Sequence, residues 1–170
     1  MGLSVLFIGG SGQISLPVVH EAVAAGHRVS VLNRGRTVVD LPKGVSTIVG
    51  DMDDDATYSR LGQASFDVVC QFRAYTPAQM ARDIATFAGH AGQYIFISSA
   101  SAYQKPARHY IITERTPLEN PYWDYSRNKI ACEKLLREQS KLPYTIVRPS
   151  NTVRTGMPMA YGDGDAVARR

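Results

Sequence analysis

Tyr125 and Lys129 lie four residues apart in the run Tyr125-Ser126-Arg127-Asn128-Lys129. On a helix, that spacing brings the two side chains to one face within reach of each other. An isolated tyrosine titrates near pH ~10, and a neighbouring cation favours its phenolate form. A phenol beside an ammonium is therefore a candidate proton-transfer pair. The same spacing also occurs on exposed helix faces without function, so the pair needs support from the rest of the chain.

The elements that would position this pair follow from the alternation of short apolar runs with longer amphipathic stretches. Nearly continuous apolar runs are typical of parallel strands covered on both faces. The pattern predicts an α/β fold with a doubly wound parallel sheet, Rossmann-type, in three α/β/α layers. The predicted strands are Ser4–Ile8, Arg28–Leu32, Ser46–Val49, Asp67–Phe72, Tyr94–Ser98 and Tyr144–Arg148, and the predicted helices are Ile14–Ala25, Ala56–Leu61, Pro77–Ala88 and Tyr122–Ser140. Gly26 and Gly89 stand where C-terminal helix caps belong.

The length and composition of the chain limit which kinds of protein it can be. With 170 residues and 44% hydrophobic content, the chain suits one domain with a real core. Its 19 Lys and Arg against 15 Asp and Glu favour anionic ligands, but the charges are dispersed, which argues against nucleic acid as a partner. Cys70 and Cys132 follow no disulfide pattern, and no secretory segment is evident, so we expect a cytoplasmic protein. The apolar N-terminal run is too short to span a membrane, and no membrane association is expected.

A glycine-rich turn, Gly9-Gly10-Ser11-Gly12-Gln13-Ile14-Ser15, follows the first predicted strand and opens the first helix. That context is the one in which a dinucleotide pyrophosphate meets a helix N-terminus. Ser15 stands where a third glycine is usual, and it is small enough for close helix–strand packing. An ordinary strand–helix turn is the alternative interpretation.

The end of the second predicted strand indicates which dinucleotide binds. A carboxylate there binds the ribose hydroxyls of NAD, whereas an arginine accommodates the 2′-phosphate of NADP. This chain has Asn33-Arg34-Gly35-Arg36 at that place. The sequence therefore favours NADP over NAD, unless the two arginines merely solvate a loop.

The acidic run Asp51 to Asp55 follows the third strand and invites a calcium interpretation. Counted from Asp51, the glycine position of a calcium loop is Ala56 and its glutamate position is Gly62, so the pattern fails. No Cys/His spacing indicates zinc, and no metal site is predicted. Asp53 to Asp55 are instead predicted to cap a helix. Asp51 and Met52 are predicted to contact the adenine of a dinucleotide.

Several ordered motifs together resemble a known family. They are the glycine turn, Gly50-Asp51, the run Phe96-Ile97-Ser98-Ser99-Ala100-Ser101-Ala102-Tyr103, the Tyr125–Lys129 run, and Arg148-Pro149-Ser150-Asn151. Over residues 1–151 the chain resembles the extended short-chain dehydrogenase/reductase family, NAD(P)-dependent epimerase/dehydratase group. Residues 1–151 would then form the NAD(P)-binding Rossmann domain. Residues 152–170 would begin a C-terminal substrate region that is cut short, so we expect little turnover from these 170 residues alone.

The resemblance implies roles for individual residues. Ser99 would hydrogen-bond the reacting substrate oxygen, Tyr125 would exchange a proton with it, and Lys129 would bind the nicotinamide ribose and lower the tyrosine pKa. Asn151 and Ser99 would touch substrate. The residues expected to contact the cofactor are Gly9, Ser11, Gly12, Gln13, Ile14, Asn33, Arg34, Arg36, Asp51, Met52, Phe72, Arg73, Ala74, Ser98, Tyr125, Lys129, Pro149 and Ser150.

The implied function is that of an NAD(P)-dependent epimerase or dehydratase acting on a small molecule, such as a nucleotide sugar or a related hydroxyl or carbonyl compound. An NADP-dependent carbonyl reductase would use the same residues. A protein that binds RNA or has a regulatory role while retaining the cofactor fold is a further alternative, because the Asn-Arg-Gly turn also resembles RNA-cleaving chloroplast proteins. A homodimer is left open.

Overall fold

The computed structural model describes residues 2–35, 39–139 and 141–152. In these ranges the strands are β1 Ser4–Ile8, β2 Arg28–Asn33, β3 Ser46–Val49, β4 Phe66–Gln71, β5 Ala91–Ile97 and β6 Tyr144–Val147. The helices are α1 Ser15–Ala24, α2 Asp55–Leu61, α3 Pro77–Phe87 and α4 Asp124–Gln139, with a 3-10 turn at Ala100–Ala102. All strand pairs are parallel, in the order β3-β2-β1-β4-β5-β6. This order is that of a Rossmann sheet, and the predicted fold class is confirmed.

The sheet is covered on both faces, as the apolar strand patterns predict. Successive side chains of a strand point to opposite faces, and β1 shows this division clearly. Val5 and Phe7 pack in a cluster with Val19 of α1. Leu6 and Ile8 belong to a second cluster, which includes side chains from α2, α3 and α4. The helices therefore form the two outer layers of an α/β/α sandwich.

The helix ends follow local signals. Gly26 and Gly89 adopt φ of 81° and 82° after α1 and α3, which agrees with their predicted capping role. The side chain of Asp54 accepts hydrogen bonds from the backbone N–H groups of Ala56 and Thr57, so the acidic run does cap α2. Thr76 and Gln79 form a reciprocal capping box at the start of α3, which fixes the chain immediately after β4.

Two boundaries differ from the predicted ones by more than one residue. Strand β5 begins at Ala91 rather than Tyr94, because Ala91 pairs with Phe66 and Gly92 lets the neighbouring strand approach closely. A Cβ at Gly92 would lie 2.9 Å from the carbonyl oxygen of Asp67. Helix α4 begins at Asp124 rather than Tyr122, since the side chain of Asn120 accepts the Tyr122 N–H at 3.2 Å and holds a turn there.

Hydrogen bonds join the two ends of the long connection between the 3-10 turn and α4. Tyr103 and Leu118 form an isolated antiparallel bridge, and the Lys105 N–H donates to the carbonyl of Glu119 at 2.8 Å. Asn120 Nδ2 donates to the Ser101 carbonyl at 2.8 Å. These bonds anchor the connection beside the run that contains Ser99.

In the residues described, no helix is both long and apolar enough to cross a membrane. Residues 153–170, on which most of the predicted substrate region falls, lie outside the described part of the chain. The division into two regions therefore stays a prediction.

Candidate functional site

The glycine turn between β1 and α1 is held together by Ser15. Its hydroxyl donates to the carbonyl oxygen of Gly9 at 2.7 Å and accepts from the N–H of Gly12 at 2.9 Å. Ser15 is 1% exposed. The residue that replaces the usual glycine therefore contributes more than small size, because its hydroxyl ties the two ends of the turn.

A cavity opens at the carboxyl edge of the sheet, next to this turn. Its wall is formed by residues that follow β1, β2, β3 and β4, which is where parallel α/β sheets bind ligands. The lining residues are Ile8, Gly9, Ser11, Gly12, Leu32, Asn33, Arg34, Gly35, Gly50, Asp51, Met52, Asp53, Arg73, Tyr75 and Gln79. Eight of these lining residues are predicted to contact a cofactor. They are Gly9, Ser11, Gly12, Asn33, Arg34, Asp51, Met52 and Arg73.

The donor set of the cavity fits a dinucleotide. Ser11 and Gly12 of the glycine turn line it, and the guanidinium-bearing Arg34 and Arg73 supply positive charge for phosphates. Asp51 and Asp53 are the carboxylates of the lining. Asp53 accepts from Gln79 Nε2 at 2.8 Å, so its oxygens are already oriented by a neighbour.

Tyr75 connects this cavity to the predicted proton-transfer pair. Its ring lines the cavity and lies 6.1 Å, centroid to centroid, from the ring of Tyr125. The ammonium nitrogen of Lys129 lies 4.9 Å from the Tyr75 ring centroid. Tyr125 and Lys129 therefore contact a residue of the cavity, although neither they nor Ser99 are among its lining residues.

Lys129 is 1% exposed and is held by main-chain acceptors. Its Nζ donates to the carbonyl oxygens of Ala74 at 2.7 Å and Ile97 at 2.8 Å. An ammonium has three N–H donors, so one is left for another acceptor. Nζ also lies 5.7 Å from the ring centroid of Tyr125. Burial lowers the pKa of Lys129 to about 8.

The pKa of Tyr125 corrects one expectation. Burial raises this pKa above its ordinary value near 10.0, while a hydrogen bond with Ser99 opposes the rise. The predicted lowering by Lys129 is absent from this structure. The physical reason is that two N–H groups of the ammonium are directed to the carbonyls of Ala74 and Ile97, and its nitrogen lies 5.7 Å from the centroid of the tyrosine ring.

Ser99 stands at the start of a short hydroxyl chain. Its Oγ lies 2.9 Å from Ser101 Oγ and accepts the Ser101 N–H at 3.1 Å. Ser126 Oγ, on the helix that carries Tyr125, donates to Ser101 Oγ at 2.9 Å. These contacts fix the 3-10 turn, which follows Ser99, against the helix that carries Tyr125.

Glu133 comes four residues after Lys129 on the same face of α4, and the sequence motifs do not reveal it. It is fully buried and accepts from Ser98 Oγ at 2.6 Å and from Arg148 NH2, also at 2.6 Å. Arg137 donates to the same carboxylate at 2.9 Å. The Ser98 hydroxyl, predicted at the cofactor, is thus bonded inside a network that joins β5, α4 and the end of β6.

The remaining predicted residues lie in other surroundings. The ring of Phe72 stacks on Phe7 at 6.1 Å between centroids, within the sheet's α1 side. Ala74 is fully buried and contributes its carbonyl to Lys129. Pro149 accepts the Ala100 N–H at 3.0 Å. Gln13, Ile14, Ser150 and Asn151 are outside the cavity lining, and Arg36 lies outside the described residues.

Tyr75 and Gln79 are cavity residues that the motifs do not reveal. Their position in the chain could have indicated them, because both come soon after β4, and parallel sheets bind ligands at the carboxyl ends of their strands. The part of the chain that the structure describes contains no group of three or more His, Cys, Asp or Glu placed to hold a metal ion.

Comparison with known proteins agrees with this geometry. Residues 9–160 match the model of a family described as NAD(P)H-binding. The chain is 32% identical over 136 residues to a 2'-dehydrokanamycin reductase of Streptomyces kanamyceticus, covering 79% of this chain and 38% of that protein. It is 30% identical to a UDP-glucose 4-epimerase of Lactobacillus helveticus, covering 96% of this chain and 56% of that protein.

Solved structures share the fold. The Bordetella bronchiseptica enzyme WbmH, solved in complex with NAD+, superposes with a TM-score of 0.76 at 19% identity, covering 89% of this chain and 56% of that one. The chain therefore spans about half the length, or less, of these relatives. The match over residues 9–160 shows that the chain belongs to the NAD(P)H-binding family, and it is similar to UDP-glucose epimerases and related enzymes of the short-chain dehydrogenase/reductase type.

Proposed function

We propose that this protein is an NAD(P)-dependent epimerase- or dehydratase-type oxidoreductase acting on a nucleotide sugar or a related hydroxyl or carbonyl compound. The observation that supports it most is the junction at Tyr75. This ring borders both the cavity beside the glycine turn and the Tyr125–Lys129 pair. A dinucleotide lying in the cavity would thus have the acid–base group at one end. The UDP-glucose 4-epimerase relative supports the nucleotide-sugar class.

In the proposed reaction, the nicotinamide would supply or accept hydride when the cofactor is bound. The chain's own residues would handle the proton. Tyr125 would exchange it through its hydroxyl, and Ser99, whose interaction with Tyr125 opposes the rise of the tyrosine pKa, would orient the substrate oxygen. The unused N–H of Lys129 would bind a ribose hydroxyl. Asn151 and Ser99 stay the predicted substrate contacts.

The preference for NADP rests on the turn after β2. Arg34 lines the cavity, and the Asn33 side chain accepts the Gly35 N–H at 3.2 Å, so the position that would bear a ribose-binding carboxylate instead shapes a turn. A guanidinium there suits a 2′-phosphate. We therefore propose NADP as the preferred cofactor. The cytoplasmic location and the homodimer stay predictions.

A carbonyl reductase is the second candidate, favoured by the similarity to the 2'-dehydrokanamycin reductase. The two candidates differ in their use of cofactor. An epimerase or dehydratase returns the hydride, so the nicotinamide absorbance is unchanged at the end, whereas a reductase consumes the reduced cofactor in proportion to product.

The test compares wild type with Tyr125→Phe, measuring turnover and the dissociation constants for NADPH and NADH. We expect turnover to fall about 100-fold or more, because a general acid–base group is lost, while NADPH binds the variant within about twofold of wild type. Trp123→Phe is a matched control, since its ring lies beside Tyr125 at 4.8 Å without a hydroxyl, and it should retain turnover.

Several outcomes would contradict the proposal. Unchanged turnover in Tyr125→Phe would remove the tyrosine from the chemistry. Equal affinities for NADPH and NADH, or tighter NADH binding, would remove the NADP preference. An RNA affinity that falls with salt and survives Tyr125→Phe would instead support the RNA-binding alternative.

A further inference from the structure

Arg73 occupies a fixed place between the sheet and the glycine turn. The preceding residue, Phe72, donates its N–H to the Ile8 carbonyl at 3.1 Å, so the chain stays beside β1 after β4 ends. The Arg73 N–H donates to Gln71 Oε1 at 2.7 Å. Gln71 is itself held by fully buried Asp83 at 2.6 Å. The main chain that presents Arg73 is therefore anchored to the core.

The side chain of Arg73 lies directly on the first glycine of the turn. A Cβ at Gly9 would be 2.3 Å from Arg73 Cγ and 3.0 Å from Cδ, so only glycine permits this contact. The guanidinium carbon lies 5.3 Å from the Tyr75 ring centroid. The aliphatic part of the Arg73 side chain thus packs on Gly9, and its guanidinium packs near Tyr75. Arg73 is also one of the residues that line the cavity.

The charge of Arg73 is not neutralised within the described residues. The ion pairs there use Arg82, Arg127, Lys134, Arg137 and Arg148, and none brings a carboxylate within 4.0 Å of the Arg73 guanidinium. A guanidinium presents donors in a fork that matches two phosphate oxygens. An unpaired fork beside a phosphate-binding turn is suited to an anion.

We propose that the guanidinium of Arg73 is a ligand of the pyrophosphate of the bound dinucleotide, opposite the main-chain groups of the glycine turn. This inference rests on the proposed function. The proposal assigns a different phosphate group to each of the two arginines of the cavity. Arg73 contacts the pyrophosphate that NAD and NADP share, whereas Arg34 contacts the 2′-phosphate that only NADP carries.

The test is calorimetric titration of NADPH, NADH and adenosine into wild type, Arg73→Met and Arg34→Gln. Methionine keeps an apolar stem over Gly9 and removes the charge. We expect Arg73→Met to raise the dissociation constants of NADPH and NADH by the same factor, about tenfold, and to leave adenosine binding unchanged. Arg34→Gln should weaken NADPH alone. Arg73→Met should also make NADH binding less dependent on salt.

Two further variants separate charge from folding. Arg73→Lys keeps the charge without the fork and should lie between wild type and Arg73→Met. Arg28→Met changes an arginine at the opposite end of β2 and should match wild type. Equal affinities of wild type and Arg73→Met for both dinucleotides would overturn this inference alone. So would a loss of adenosine binding as large as that of NADH, since it would indicate a packing role. Wild type that binds neither dinucleotide would overturn the proposed function as well.

Discussion

Lys129 places an ammonium among apolar side chains with main-chain carbonyls as its acceptors, and this arrangement couples its titration to stability. Burial lowers its pKa to about 8, from an ordinary value near 10.5. Between those two pH values the unfolded chain binds more protons at this residue than the folded chain does. The contribution of Lys129 to the free energy of unfolding therefore rises with pH across that window and is lowest below pH 8.

Lys129→Met tests this linkage. We expect the free energy of unfolding of wild type, relative to the variant, to increase by roughly 2 kcal/mol between pH 7 and pH 10. Urea unfolding at several pH values measures it, and the difference between the two proteins cancels titrations that they share. A difference that stays constant with pH, or shrinks, would contradict a lowered pKa for Lys129.

At the scale of secondary-structure elements, a buried carboxylate joins four of them. Asp83 of α3 is fully buried and accepts from Tyr58 of α2 and Gln71 of β4, each at 2.6 Å, and from Tyr94 of β5. Burial raises the pKa of Asp83. Because a buried acceptor left without a donor loses stability, each of these three bonds should stabilise the packing of α3 on the sheet.

Tyr94→Phe removes one of those donors at almost constant volume. We expect it to lower the free energy of unfolding by about 1–3 kcal/mol, measured by urea denaturation. Tyr144→Phe is the matched control, since Tyr144 pairs with Tyr94 across β5 and β6 but is 39% exposed. Its change should lie within about 0.5 kcal/mol of wild type. Equal effects of the two substitutions would mean that the bond to Asp83 contributes nothing measurable.

These elements also indicate how far the sequence can be interpreted without a structure. Apolar runs and glycine caps predict the strands and helices, because those signals are local. The glycine turn and Ser99 are predicted as motifs, and they follow the carboxyl ends of β1 and β5 at one edge of the parallel sheet. Asp83 and Glu133 look like ordinary surface acids on amphipathic helices. Their burial depends on partners from distant elements, and such partners have no local signature.

The pKa of Tyr125 also depends on groups that are distant in the sequence. Its spacing from Lys129 correctly places the two side chains together, and the Lys129 ammonium lies over the tyrosine ring. The direction in which Nζ points is decided by the carbonyls of Ala74 and Ile97. Those carbonyls come from the ends of other elements, so spacing on one helix predicts proximity but not the hydrogen bonds.

At the scale of the whole molecule, the cavity is built from segments that follow four different strands. The turns after β1 to β4 meet there, so a ligand that fills the cavity contacts segments far apart in the chain. A ligand that binds only the folded state raises the free energy of unfolding, by about 2.7 kcal/mol at 100 times its dissociation constant. For a chain of this size we expect NADPH to raise the unfolding midpoint by about 5 °C or more.

Gly12→Val provides the test that this stabilisation arises in the proposed cavity. Gly12 is exposed, and a Cβ there would approach Ser15 Oγ to 3.2 Å with no closer neighbour. The fold should therefore accept the change with a small adjustment, while a branched side chain fills space beside the turn. We expect the unfolding midpoint without cofactor to stay within about 3 °C of wild type, and the rise with NADPH to disappear.

Gly44→Val is the control, because Gly44 lies at a turn away from the cavity with nothing within 4 Å of its Cβ. Gly44 has φ of 89°, so strain should lower the midpoint of this variant while the NADPH-induced rise is retained. If NADPH raised the midpoint of Gly12→Val as much as that of wild type, the dinucleotide would have to bind elsewhere on the molecule.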